Sequence, residues 1–142
     1  MELLTGECFG LLGINGAGKT STLKVLTGDI LPSSGVAKIC GMNVLENQRA
    51  VRQLIGYCPQ FDALLDLLTV KEHLELFSRI KNVSEGELDR VVTSSMERMD
   101  LLRYSNKLAG SLSGGNKRKL CVAIALLSQP QVRGSYRYIL NM

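Results

Sequence analysis

The octapeptide Gly13-Ile14-Asn15-Gly16-Ala17-Gly18-Lys19-Thr20 constrains this chain more than any other stretch, because it meets every position of the phosphate-cradling pattern G-x-x-x-x-G-K-[ST]. Its flanks suit it. Cys8-Phe9-Gly10-Leu11-Leu12 is short and mostly apolar, as a buried parallel strand is, and the sequence from Ser21 continues as a helix with Leu23 and Leu26 on one side. Gly13, Gly16 and Gly18 let the backbone curl around an anion, so that N–H groups at the start of the helix point at a diphosphate. Lys19 then reaches the β and γ phosphates, and the Thr20 hydroxyl is placed to ligate Mg²⁺. Asn15, Ala17 and Ser21 complete the candidate nucleotide-binding set. The bland reading, a glycine-rich turn that merely precedes a helix, does not account for the lysine and the hydroxyl.

A chain of 142 residues, 45% of them apolar and 21% charged, has the composition of one globular domain with a real core. The longest apolar run, Val122 to Leu127, is far too short to span a membrane, and no leader pattern is visible, so the expectation is a cytosolic chain without direct membrane insertion. Cys8, Cys40, Cys58 and Cys121 show no C-x-x-C spacing and lie mostly in apolar segments, which favours buried thiols over metal or disulfide roles. The net charge of +4 is C-terminal in origin: residues 101–142 carry seven basic and no acidic side chains. Part of it is Lys117-Arg118-Lys119, read as a solvated or phosphate-facing surface. Without interleaved aromatics it does not suggest a nucleic-acid partner.

After the first helix, Gly28 and Asp29 close the element, and Pro32 to Gly35 reads as a turn into a short strand, Val36 to Cys40, stopped by Gly41. Gln48 to Leu54 fits a short helix. Leu54 to Cys58 reads as a strand ended by Pro59, which leaves Gln60 at a strand exit, a usual place for a polar residue to meet a ligand. From residue 69 the period is helical. Thr69 with Glu72 forms a possible capping box ahead of Val70, Leu74 and Phe77, and Ser84 with Glu87 repeats it ahead of Leu88, Val91, Val92, Ser95, Met96 and Met99. Two successive helices with no strand between them form a helical insertion in an α/β core. His73, the only histidine, has no catalytic constellation around it and reads as structural or partly exposed.

Leu112-Ser113-Gly114-Gly115 breaks into a helix starting near Asn116, with Leu120, Ala123, Ile124 and Leu127 along an apolar face. Two glycines and a serine at a helix start can form a second anion-binding device, although simple capping is the favoured account of these three residues alone. Taken together and in order, Gly13 to Thr20, Tyr57-Cys58-Pro59-Gln60-Phe61-Asp62 and Leu112 to Leu120 resemble an ATP-binding cassette. The wording around Gln60 and after Asn116 is similar to the lipid-exporting A subfamily of ABC transporters, particularly its second nucleotide-binding domain. The resemblance spans about residues 6 to 132.

It implies an α/β P-loop NTPase fold of the ABC ATPase type, incomplete here, with the partial domain at residues 1–132 and a helical subdomain over about 69–127. It implies ATP and Mg²⁺ as cofactors, Lys19 and Thr20 at the phosphates and metal, and Gln60 as a sensor of metal and γ-phosphate. Ser113, Gly114 and Gly115 match the signature loop that closes on ATP held by the opposite cassette. The implied partners are a second nucleotide-binding domain and the transmembrane domains of a transporter, which would hold the chain at the cytoplasmic side of a membrane.

Two departures stand against the pattern. The family follows a turn such as Gln129-Pro130-Gln131 with an apolar strand ending in Asp-Glu, whereas here residues 133–142 are unrelated to that pattern and Asp100 is the last carboxylate. At the other end, Met1 to Thr5 offers no counterpart to the preceding strands and the adenine-stacking aromatic. The expectation is a cassette truncated at both ends that binds nucleotide without hydrolysing it. A non-hydrolysing interaction or regulatory fragment, a soluble non-transport ABC ATPase and an unstable fragment without its own function stay open as alternatives.

Overall fold

The computed structural model describes residues 10–127 and the backbone of residues 132–135. The chain divides into two compact units between Arg52 and Gln53.

In the first unit, helix α1 (Lys19–Leu26) follows the glycine loop and begins at Gly18, whose φ of 83° only glycine adopts without strain. Its end is a Schellman motif. Gly28, at φ 73°, donates to the Val25 carbonyl at 3.1 Å, and Asp29 donates to that of Lys24 at 2.8 Å. The predicted strand at Val36 to Cys40 shrinks to β1 (Lys38–Ile39), which pairs antiparallel with β2 (Met42–Asn43). The two intervening residues, Cys40 and Gly41, both have positive φ, as a two-residue hairpin with the right twist requires. Cys40 is therefore exposed, contrary to the expectation of a buried thiol. Ile39, Val44 and Val51 form the buried apolar positions of this unit, the last on α2 (Gln48–Leu54).

Only Gly10 to Leu12 of the predicted first strand is described, and it corrects the expectation: these residues join no ladder, and Leu12 is 92% exposed. A parallel strand draws its hydrogen bonds from neighbours, and the described strands pair among themselves, β1 with β2 and β3 with β4. Residues 1–9, the turn at 129–131 and the tail from 136 onward lie outside the described residues.

The second unit opens with β3 (Ile55–Cys58) and continues into α3 (Val70–Ile80), α4 (Glu85–Arg98) and α5 (Gly114–Leu126), with 3-10 turns at Leu102–Tyr104 and Ala109–Ser111. Strand β4 (Val132–Ser135) pairs in parallel with β3, Ile55 opposite Val132 and Cys58 opposite Ser135. A strand thus follows α5 although residues 133–142 depart from the family's acidic pattern. A ladder is made by backbone groups, so four residues without the family's acidic ending still complete it.

Apolar spacing on α3 and α4 produces one core. Val70 and Leu74 from α3, Leu88, Val92 and Met96 from α4, and Leu120, Ala123 and Leu127 at α5 and its C-cap pack with Leu101, Ala109 and Leu112. The opposite side of α5 (Cys121, Val122, Ala125) packs with Cys58 of β3, so this helix is apolar on both sides. The Thr69 cap is a complete capping box: the Thr69 hydroxyl accepts from the Glu72 N–H at 3.2 Å, and Glu72 accepts from the Thr69 N–H at 2.7 Å. The predicted second box is absent. Ser84 makes no side-chain cap bond, and Glu87 instead accepts from Arg90 at 2.6 Å. No helix among the described residues is long and apolar enough to cross a membrane.

Candidate functional site

The glycine loop builds its curvature from Gly16 (φ 85°) and Gly18 (φ 83°), and an N–H···O bond from Ala17 to Ile14 at 3.2 Å closes the turn. A Cβ on Gly13 would stand 3.0 Å from that of Ala17, so a side chain there would push the loop open. The first bond of the helix runs from the Thr22 N–H to Gly18, which leaves Lys19, Thr20 and Ser21 with outward N–H groups at its start. Gly18 supplies no side-chain cap, and no acidic residue lies in the first turn, so nothing within the helix neutralises the positive end of its dipole. Lys19 Nζ lies over the loop, donating to the carbonyls of Gly13 at 2.7 Å and Ile14 at 2.8 Å. A ring of backbone donors with an ammonium above it fits a polyphosphate. Thr20 and Asn15 are exposed.

Gln60, Ser113, Gly114 and Gly115 belong to the second unit. Helix α5 begins at Gly114, two residues before the predicted start, with Ser113 as N-cap. Ser113 Oγ accepts from the Asn116 N–H at 3.4 Å, which leaves its proton to donate elsewhere. Gly114 and Gly115 have open space where a Cβ would stand, and α5 also lacks an acidic first turn. By contrast α3 and α4 both carry glutamate there. The two helices that follow glycine motifs are thus left electrostatically open to anions, and the two of the insertion are not.

Gln60 is exposed at the exit of β3. Its turn is tied to α5 by a cluster the sequence did not reveal. Arg118 donates to the Pro59 carbonyl, Arg118 Nη1 lies 3.9 Å from Asp62 Oδ1, and Cys121 Sγ donates to the same oxygen at 3.6 Å. Arg118 therefore does not belong to a solvated face, its side chain being 19% exposed, while its neighbours Lys117 and Lys119 pair with Asp66 and Asp100. The helical spacing of residues 118 and 121 was visible in the sequence; partners 59 residues away were not. Burial pushes the Cys121 thiol up to about 12, Asp62 and Cys58 adding to the effect, so at neutral pH it is a thiol donor. Cys58 is also raised by burial, against the pull of Arg118.

His73 is fully buried rather than partly exposed: Nδ1 donates to the Thr69 carbonyl and Nε2 accepts from the Leu65 N–H, both at 2.9 Å. Both ring nitrogens are committed to backbone groups, and the residue is structural.

Comparison with known proteins agrees with this geometry. The family model described as "ABC transporter" matches residues 1–133. The chain belongs to the ABC transporter family. It is 54% identical over 127 residues to ATP-binding cassette sub-family A member 7 of Mus musculus, covering 89% of this chain and 6% of that protein. It is 54% identical over 125 residues to the retinal-specific phospholipid-transporting ATPase ABCA4 of Bos taurus, covering 88% and 6%. The chain thus spans only a small part of the length of these curated relatives. Among solved structures, an ATP-binding subunit of an ABC transporter superposes with TM-score 0.77 at 29% identity, over 87% of this chain and 52% of that one. The fold is the mixed α/β P-loop fold of ABC ATPases with its helical insertion.

Proposed function

We propose that this chain is ATP-binding machinery of a lipid-exporting ABC transporter of the A subfamily, corresponding to part of the second nucleotide-binding domain. The observation that carries the reading is the glycine loop: a left-handed Gly16 and Gly18, an uncapped helix start and the Lys19 ammonium over it, in a family whose members bind nucleotide. Gly13, Asn15, Gly16, Ala17, Gly18, Lys19, Thr20 and Ser21 hold the phosphates of MgATP, with Thr20 and Gln60 toward the metal. Mg²⁺ held there with ATP would supply charge neutralisation at the phosphates. Ser113, Gly114 and Gly115 serve ATP carried by a second cassette, and the helices of residues 69–99 face the transmembrane domains. The similar proteins' printed names, one of them a phospholipid-transporting ATPase, support lipid as the cargo. A polypeptide of residues 1–142 binds MgATP without turning it over.

Calorimetric titration with MgATP tests the reading. Lys19→Ala removes the one charged group over the loop, and a charge-assisted bond to phosphate is worth roughly 1.5–3 kcal/mol, so affinity falls by at least about tenfold. Equal affinities in the two proteins would remove the glycine loop from the phosphates.

A further inference from the structure

Gln60 sits in a turn that carries no regular hydrogen bonding of its own after β3 ends at Cys58. What orients the turn is on the other side of the chain, on α5. The peptide linking Pro59 to Gln60 has its carbonyl bound by the Arg118 guanidinium, and Asp62, two residues beyond Gln60, accepts from the Cys121 thiol and faces the same guanidinium. The Gln60 backbone is thus held from both flanks by side chains one helical turn apart. The cluster is open to water on the turn side and closed on the helix side: the Arg118 and Asp62 side chains are 19% and 31% exposed, and Cys121 is buried. The planar guanidinium can meet a carbonyl and a carboxylate together, which an ammonium on a flexible stem does with less fixed geometry. Arg118 also lies five residues after Ser113 on a helix whose two sides are packed against β3 and the helical core, so the anchor is a rigid one.

We infer that Arg118 is a positioning residue for Gln60: it fastens the Pro59–Asp62 turn to the helix that starts at the Ser113-Gly114-Gly115 loop, so that displacement of this helix is passed to Gln60. The consequence for metal sensing rests on the proposed role of Gln60; the fastening does not.

Two measurements on the 142-residue protein separate these. Backbone ¹⁵N order parameters follow residues 60–63 against α4 as internal reference, in wild type, Arg118→Ala and Arg118→Lys. The expected result is a fall at residues 60–63 into the range of flexible backbone, below about 0.6, in Arg118→Ala and a smaller fall in Arg118→Lys, with α4 unchanged. Unchanged order in the turn, or an equal fall in turn and α4, would overturn the inference. Asp62→Ala, which removes both the acceptor of Cys121 and the carboxylate facing Arg118, provides a second variant should Arg118→Ala fail to fold, with the same local loss of order expected and the same overturning results. The second measurement is the ratio of ATP affinities with Mg²⁺ and with EDTA. Gln60→Ala and Arg118→Ala are expected to lower that ratio alike, and the double variant no further. A ratio lowered by Gln60→Ala and untouched by Arg118→Ala would overturn the positioning role. A ratio untouched by Gln60→Ala, with the local loss of order in Arg118→Ala still seen, would overturn the metal-sensing reading and leave the fastening established.

Discussion

Cys121 holds a proton in the folded chain that it would release much sooner once unfolded. Its thiol is pushed up to about 12 by burial first, then by Asp62 and Cys58, whereas an unfolded thiol titrates near roughly 8.5. Above that lower value the unfolded state binds fewer protons than the folded one, so stability falls as pH rises toward about 12 and is unaffected at neutral pH. The loss attributable to one such group is at most about 1.4 kcal/mol per pH unit. Urea unfolding at several pH values between neutrality and strong alkali checks this: wild type is expected to lose stability faster than Cys121→Ser, which keeps a donor toward Asp62 but does not titrate there. Parallel curves would assign the alkaline loss to other groups.

Two serine or threonine caps that look alike in sequence differ in what they contribute to their helices. Thr69 and Glu72 exchange side-chain bonds with each other's N–H groups, while Ser84 makes none and Glu87 is turned to Arg90. Thr69→Ala is therefore expected to cost about 1 kcal/mol in denaturant unfolding, and Ser84→Ala less than about 0.5 kcal/mol. Equal costs would mean that the Thr69 bonds do not persist in solution. The comparison also marks how far the sequence was legible. Apolar spacing located α3, α4 and α5, and Pro59 ended β3, because those signals act over one helical turn or one peptide bond. Where outcome depended on a distant partner, the sequence was silent. The ladder between β3 and β4 and the bonds from α5 to the Pro59–Asp62 turn both join residues more than fifty positions apart. The glycine loop was legible almost completely, since its geometry is local; the exposed course of Gly10 to Leu12 was not.

Across the whole molecule, hydrolysis requires a fixed metal and a group that orients an attacking water, and carboxylates usually supply both. Residues 101–142 contain none, and Val132-Arg133-Gly134-Ser135 occupies the strand parallel to β3 without an acidic ending. Acids around the proposed site residues are engaged: Asp29 by Arg52, Asp62 by Arg118 and Cys121, Asp66 by Lys117, and Asp100 by Arg103 and Lys119. Among the described residues, no group of three His, Cys, Asp or Glu side chains could hold a metal ion. A neutral hydroxyl such as that of Thr20, or a neutral amide such as that of Gln60, cannot take a proton from water at neutral pH. Missing general-base assistance alone costs on the order of 10²–10⁴ in rate. Phosphate release by a polypeptide of residues 1–142 at saturating MgATP is therefore expected to equal that of its Lys19→Ala variant, at low and at high protein concentration. Sustained release that the Lys19→Ala change abolishes would show that turnover proceeds here without a carboxylate base.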